Sequence, residues 1–78
     1  MTARDEVLSA ARQLSSTSPD GTFTIDDVLA LLHRRGTGYA NSTIRTHVSS
    51  RMCANAPDHH AVVFRDLIRV DHGRYRLA

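Results

Sequence analysis

Between Ser42 and Ser50 the chain has short hydroxyl side chains and one cation, a combination that suits contact with nucleic acid. Serine and threonine hydroxyls both donate and accept hydrogen bonds, and these short side chains allow a close approach of the backbone. An arginine among them can meet a phosphate or the edge of a guanine. The residues with this chemistry are Ser42, Thr43, Arg45, Thr46, Ser49 and Ser50. We interpret them as the exposed face of a helix that enters the major groove of duplex DNA.

An ordinary solvated helix face is the alternative interpretation of this stretch. That alternative predicts Glu, Lys and Gln, yet none of these residues occurs between Ser42 and Asn55. Serine and threonine are also poor formers of helix interiors, so helix stability does not explain their density here. The composition therefore favours a binding surface.

The charge of the chain is unevenly distributed along the sequence. Residues 1–32 contain two arginines and five acidic residues, a net charge of −3. Residues 33–78 contain eight arginines and three acidic residues, a net charge of +5, and the chain has no lysine. This asymmetry indicates a surface that faces a polyanion on the second part of the chain. A mixed surface, on which the two parts interleave in space, is the alternative.

Length and composition favour a binding module over an enzyme. A chain of 78 residues forms one domain with a small core, which argues against a large enclosed substrate cavity. Paired carboxylates, a Ser/His/Asp arrangement and a glycine-rich phosphate loop are all absent from the sequence. We therefore expect no enzymatic activity and no cofactor. The sequence has no apolar run of membrane-spanning length and no signal peptide, so we expect a cytoplasmic protein without membrane association.

One cluster of residues invites a metal-binding interpretation. Cys53, Asp58, His59 and His60 all have ligating side chains. Adjacent histidines on an extended segment point in opposite directions, and no second cluster completes four ligands with zinc spacing. We therefore expect no metal site, and we expect the two histidines to pack or cap a loop.

The pattern of apolar residues predicts three helices followed by a β-hairpin. Apolar positions at helical spacing place the helices at about residues 3–14, 25–34 and 42–54. Phe23 lies in a short extended link before the second helix and is expected to anchor the core. The hairpin is expected at about residues 67–77, with Gly73 in its turn. The apolar run at 61–64 favours a further short strand. The expected fold class is α+β.

Capping residues define the helix ends. Thr2 with Asp5, and Thr24 with Asp27, have the spacing of a capping box. Gly36 suits the position just after the second helix, and Asn41 or Ser42 is expected to cap the third helix.

Periodicity also assigns faces to the third helix and to the hairpin. Ile44 and Val48 are expected to face the core, and Cys53 falls with the polar face of the helix. In the hairpin, Leu67, Arg69 and Asp71 are expected on one face of the sheet. Ile68, Val70, Tyr75 and Leu77 are expected to form the apolar positions of the other face.

The order of these elements resembles a winged helix-turn-helix domain over nearly the whole chain: a three-helix core followed by a C-terminal β-hairpin wing. The segment Arg69 to Leu77 has the pattern Arg-Val-x-x-Gly-x-Tyr-x-Leu, which is found at the end of many such bacterial domains. The stretches 42–48 and 55–60 resemble a narrower bacterial subfamily, whose modules occur alone or attached to restriction-type nucleases. The long loop between the third helix and the hairpin departs from the general pattern.

The resemblance implies a role for each candidate site residue. It implies that the six helix residues named above read bases, and that His72 and Arg74 at the wing tip reach the adjacent backbone or minor groove. Arg69 and Arg76 flank the tip and are expected to meet phosphates. The implied partner is double-stranded DNA, with recognition of methylated cytosine as a narrower version. A homodimer or a nuclease partner is compatible with this reading. The alternative is a winged helix for protein interaction or dimerisation, without DNA readout.

Overall fold

A computed structural model describes residues 2–56 and 62–78 of the chain. The elements follow one another as α1 (Ala3–Thr17), β1 (Thr22–Thr24), α2 (Ile25–Arg34), α3 (Asn41–Thr46), a π-helical turn (His47–Arg51), β2 (Leu67–Asp71) and β3 (Arg74–Leu77). The strands form one antiparallel sheet in the order β1-β3-β2. The predicted α+β class is therefore confirmed. Three helices and a C-terminal hairpin, extended by β1, are an arrangement compatible with a winged helix.

Both predicted capping boxes are present. The Thr2 hydroxyl accepts a hydrogen bond from the Asp5 amide, and the Asp5 carboxylate accepts one from the Thr2 amide. Thr24 and Asp27 form the same reciprocal pair at the start of α2. These bonds satisfy amides that a helix leaves unpaired at its N-terminus, so the two helices begin where local chemistry indicates.

The first helix is longer than its apolar pattern predicts. It runs to Thr17 rather than ending near Leu14. The hydroxyls of Ser16 and Thr17 both donate to the carbonyl of Gln13, and the Ser18 amide donates to the Leu14 carbonyl. Serine and threonine hydroxyls near a helix end can satisfy carbonyl groups that the helix leaves free. Ser16 and Thr17, whose residue types predict a loop, therefore lie in the last turn of the helix.

The core lies between the three helices and one face of the sheet. Its largest fully buried side chains are Phe23, Leu32, Ile44, Met52, Leu67, Val7, Val28, Val48 and Cys53. The anchor role predicted for Phe23 is confirmed, since only 1% of this residue is exposed. Because Ile44, Val48 and Met52 come from α3 and the segment after it, the same core that stabilises the domain fixes the orientation of α3.

The faces predicted for the hairpin were partly wrong: Leu67 and Arg69 share one face as predicted, but Tyr75 and Leu77 lie on that same face. Leu67 pairs with Leu77 across the two strands, and cross-strand partners share a face of the sheet. Leu67 and Tyr75 are buried on the helix side, whereas Ile68 is half-buried and Val70 is 45% exposed on the outer side. Both faces of β2 contain apolar residues, so the sequence of this strand does not show which face is buried. The pairing register with β3 buries the face that contains Leu67.

The free edge of β2 is covered by the segment that follows the π-helical turn. The Leu67 amide donates to the Met52 carbonyl, and the Ala54 amide donates to the Leu67 carbonyl, both at 2.8 Å. The Asn55 side chain then bonds both backbone groups of Arg69, each at 2.9 Å. Asn55 therefore holds the hairpin to the helical core.

The third helix is regular only as far as Thr46. In the π-helical turn that follows, the Met52 amide bonds the His47 carbonyl five residues back, at 2.8 Å. Such a turn contains one residue more than an α-helical turn, so later residues lag by about 100° in their rotation around the axis. This explains why Cys53, predicted on the polar face, is buried next to Met52 instead. The helix predicted to reach residue 54 therefore ends at Arg51.

The segment before β2 is not a strand where it is described. Val62, Val63 and Phe64 have no strand pairing, so the strand predicted at 61–64 is wrong for these three residues, while Ala61 lies outside the described residues. The segment is instead held by Arg4, which makes two hydrogen bonds to the Asp66 carboxylate at 2.9 and 3.0 Å and lies over the Phe64 ring at 4.3 Å.

Asp20 makes the stability of the domain sensitive to acid. Hydrogen bonds from the Thr22 hydroxyl and amide and from the Ser18 hydroxyl lower its pKa from 3.8 to about 2. A carboxyl whose pKa is lowered by folding stabilises the folded state above its unfolded pKa, and this contribution is lost as the pH falls through the folded value. We therefore expect Asp20→Asn to lower the melting temperature above about pH 4, and the difference to vanish towards about pH 2. Thermal melts followed by circular dichroism measure it, and a constant difference over this range would contradict the prediction.

Candidate nucleic-acid interface

The helices α2 and α3 form a helix-turn-helix pair with a defined joint. Arg35 caps the C-terminus of α2, and Gly36 follows with a φ of 78°, a left-handed conformation that favours glycine and is typical just after a helix. His33 Nε2 and Asn41 Oδ1 form a hydrogen bond of 2.6 Å that ties the end of α2 to the start of α3. This bond occupies the Asn41 oxygen. The capping residue is therefore Ala40, without a side-chain bond, and the prediction that Asn41 or Ser42 caps the helix was wrong.

The six residues predicted to read bases differ in their exposure. Ser42, Arg45 and Thr46 are exposed. Half-buried positions are occupied by Thr43, Ser49 and Ser50. The Ser49 hydroxyl donates to the Arg45 carbonyl at 2.8 Å, so its proton is used within the helix and its oxygen can only accept from a ligand. The outward surface is thus a short row of small polar side chains that includes the exposed cation Arg45.

Arg45 is paired with an acidic residue of the preceding helix. Its Nη2 lies 3.2 Å from Asp26 Oδ1, with the arginine side chain 53% exposed and the aspartate side chain 84% exposed. Two exposed charges attract weakly through water, so the arginine can exchange this partner for a ligand. The pair also shows that the acidic first part of the chain meets the basic second part at this helix.

The four wing residues do not share one face of the sheet. Arg69 pairs with buried Tyr75 and therefore lies on the helix side, where its Nη2 is 3.2 Å from His72 Nδ1. Arg74 and Arg76 alternate with Tyr75 along β3 and lie on the outer face. There Arg74 donates to the Thr22 hydroxyl, and Arg76 donates to the carbonyl of Leu77, both at 2.9 Å. The structure thus brings Arg69 and His72 together and separates them from the outer pair.

A family model described as a domain of unknown function (DUF7669) matches residues 3–77, nearly the whole chain. The chain belongs to the DUF7669 family. No curated protein and no solved structure matches it. The site of this DUF7669 domain therefore has to be interpreted from its own residues.

The DUF7669 domain has a depression of about 270 Å³ along α3 and the π-helical turn. It is lined by Ser42, Thr43, Thr46, His47 and Arg51. Three of these residues belong to the predicted base-reading set, and two do not. The arginine is exposed and the histidine is half-buried, so both can reach a ligand in the depression.

Sequence reasoning missed Arg51 because it assumed one regular helix. On an unbroken helix this residue flanks the buried stripe of Ile44 and Val48. In the structure the Arg51 carbonyl accepts hydrogen bonds from the amides of Val63 and Phe64, at 2.9 and 2.8 Å, which fixes its backbone at the end of the π-helical turn. No local signal in the sequence indicates this turn.

The His47 side chain lines the depression and makes a hydrogen bond to the backbone of the same helix. Its Nδ1 donates to the Thr43 carbonyl at 2.8 Å, since a carbonyl oxygen can only accept. This leaves Nε2 as the ring nitrogen that can meet a ligand, as acceptor when the ring is neutral and as donor when it is protonated. The His47 side chain is half-buried.

The residues described by the structure contain no group of three or more His, Cys, Asp or Glu side chains that could hold a metal ion. His59, His60 and Asp58, which the sequence suggested as packing or capping residues of a loop, lie outside the described residues. Cys53 is buried, and its thiol donates to Asn55 Oδ1 at 3.1 Å. Among residues 2–56 and 62–78, no helix has the length and apolar character needed to cross a bilayer.

Proposed function

We propose that this DUF7669 domain binds duplex DNA, with α3 and the π-helical turn in the major groove and the hairpin on the adjacent backbone. The observation that supports this most directly is the outward surface of α3. It combines small hydroxyl side chains with two exposed arginines, Arg45 and Arg51, of which Arg51 lines a depression together with Ser42, Thr43 and Thr46. Short polar side chains let a helix approach base edges, and arginines meet phosphate or guanine.

The dimensions of the helix suit this role. Residues 41–51 span about 16 Å at a rise of about 1.5 Å per residue, enough to lie along a groove about 12 Å wide. Its opposite side, with Ile44 and Val48, is fixed to the core. A rigid helix that presents polar groups in one direction keeps its orientation when it meets DNA, as recognition helices do.

The narrower proposal is that the depression accommodates a methylated cytosine. It rests on the resemblance to modules attached to restriction-type nucleases, and the methyl groups of Thr43 and Thr46 offer apolar contact of the kind that reads the thymine methyl. The same proposal includes a partner protein, which is either a nuclease or a second copy of the chain. It also includes a location in the cytoplasm near the nucleoid. We propose no catalytic activity for the domain itself.

An interaction module is the second candidate function, because two large apolar side chains are exposed. Val63 is 58% exposed and Val70 is 45% exposed. The sheet edges argue against docking by strand addition. Asn55 occupies the edge of β2, and the Asp20 and Asp27 carboxylates accept from the amides of Thr22 and Thr24 in β1. An added strand needs such backbone groups to be free.

Salt dependence tests the proposed function. If three to five arginines neutralise phosphates, log K falls with log[salt] at a slope of about −2.7 to −4.5, because each phosphate contributes about −0.9. Affinity for a duplex should then fall about 40- to 500-fold between about 50 and 200 mM salt. Fluorescence anisotropy with labelled duplexes measures this slope. Absence of binding, or a slope near zero, would contradict duplex binding.

Cytosine methylation is tested in the same assay with matched duplexes that differ only in the 5-methyl groups. The narrower proposal expects tighter binding to the methylated duplex, because the added methyl group gains apolar contact without loss of a hydrogen bond. Equal affinity for both duplexes would remove the modified-base version and leave general duplex binding intact.

A further inference from the structure

An acidic residue lies within the surface that we propose for DNA. Asp26 is the second residue of α2, and its carboxylate lies 3.2 Å from Nη2 of Arg45 in α3. With its side chain 84% exposed, Asp26 contributes little to the core. The capping bonds of α2 come from Thr24 and Asp27, so Asp26 is also not needed to start the helix.

We propose that Asp26 is a specificity-determining residue that competes with phosphate for Arg45. This inference rests on the proposed duplex binding. On a non-cognate duplex Arg45 stays with Asp26, because a single phosphate offers no better partner than the carboxylate. On a cognate site Arg45 leaves Asp26 for a base edge. Asp26 thereby lowers non-specific affinity more than specific affinity.

The relative strengths of these contacts support the exchange. An exposed ion pair changes an equilibrium by up to about fivefold, which is comparable with one solvent-exposed phosphate contact. A bidentate arginine–guanine contact discriminates by about five- to 150-fold. The Asp26 carboxylate therefore competes with a single phosphate for Arg45 and is too weak to hold Arg45 against a guanine.

The effect is measured with the Asp26→Asn variant on an alternating A·T duplex of 20 base pairs, which contains no guanine. We expect this variant to bind about three- to fivefold more tightly than the native chain, because Arg45 becomes free to neutralise a phosphate. The salt slope should become more negative by about 0.9, the contribution of one phosphate. If the native chain binds this duplex clearly and Asp26→Asn has the same affinity and the same salt slope, the role of Asp26 is overturned while the proposed duplex binding stands.

Two controls separate this exchange from a general change in charge. Glu6→Gln removes one acidic charge from α1 and should change affinity by less than twofold. The Asp26→Asn change is also made in an Arg45→Ala background, where it should again have less than a twofold effect, because the two residues act together. An undiminished gain in that background would show simple repulsion and overturn the inference. Failure of the native chain to bind any duplex would overturn the proposed function, and this inference with it.

Discussion

We expect Arg45→Ala to weaken binding to a duplex that contains a cognate site about ten- to hundredfold at about 100 mM salt, the largest effect on binding of any single substitution in α3. Arg45 is an exposed cation of the outward surface, and loss of a bidentate arginine contact to a base costs about 1–3 kcal/mol. The fold should be unchanged, because the side chain is 53% exposed and its partner Asp26 is free to be solvated. Fluorescence anisotropy gives the affinity, and circular dichroism verifies the fold.

Arg12→Ala is the matched control for this substitution. It removes the same side chain and the same charge from an exposed position on α1 that lines a separate depression with Arg65 and Asp66. We expect it to change affinity by less than threefold through the net charge alone. If Arg12→Ala and Arg45→Ala weakened binding equally, the arginines would act only through net charge, and the position assigned to α3 would be wrong.

The parts of the fold that could be predicted from the sequence depend on neighbouring residues. Capping boxes join residues three positions apart, which is why the starts of α1 and α2 were predicted correctly at Thr2 and Thr24. The core position of Phe23 follows from an isolated aromatic residue between polar neighbours. Gly36 could be placed after α2 because a left-handed residue at that point favours glycine.

The errors arise where distant segments decide the local structure. The π-helical turn and the burial of Cys53 coincide with backbone bonds from the segment 52–54 to Leu67, which no local pattern contains. The face of β2 was misassigned because Leu67 and Ile68 are equally apolar, so that only the register with β3 decides between them. Long-range pairing overrides local propensity in both cases.

Contacts between distant segments also decide part of the candidate site. The sequence places Ser42, Arg45 and Thr46 on an exposed helix face, and they are exposed. It does not reveal that Arg45 meets Asp26, 19 residues earlier, or that Arg51 turns towards the same depression as Thr46. These contacts depend on how α2 meets α3 and on where the helix becomes irregular. The chemistry of the surface was thus predictable, whereas its balance of charge was not.

The largest effect on stability is expected for Phe23→Ala, at about 3–5 kcal/mol. Phe23 is 1% exposed, and it pairs with Tyr75 where β1 lies beside β3. It directly precedes Thr24, the N-terminal cap of α2. Removal of the ring leaves a cavity where the sheet meets the helices. A domain of this size has a stability of only about 3–5 kcal/mol, so we expect the variant to be largely unfolded at 25 °C. Urea titration followed by circular dichroism measures the free energy of unfolding.

Two further variants distinguish the cavity from a general weakness of the sheet. Phe23→Leu keeps an apolar side chain in the same position and should cost less than about 1.5 kcal/mol while duplex binding is retained. Val70→Ala shortens an apolar side chain on the outer face of the sheet, where 45% of the residue is exposed, and should change stability by about 0.5 kcal/mol or less. A cooperative unfolding transition of native stability in Phe23→Ala would show that β1 does not anchor the core. Because the same core fixes α3 through Ile44 and Val48, the orientation of α3 would then need another explanation.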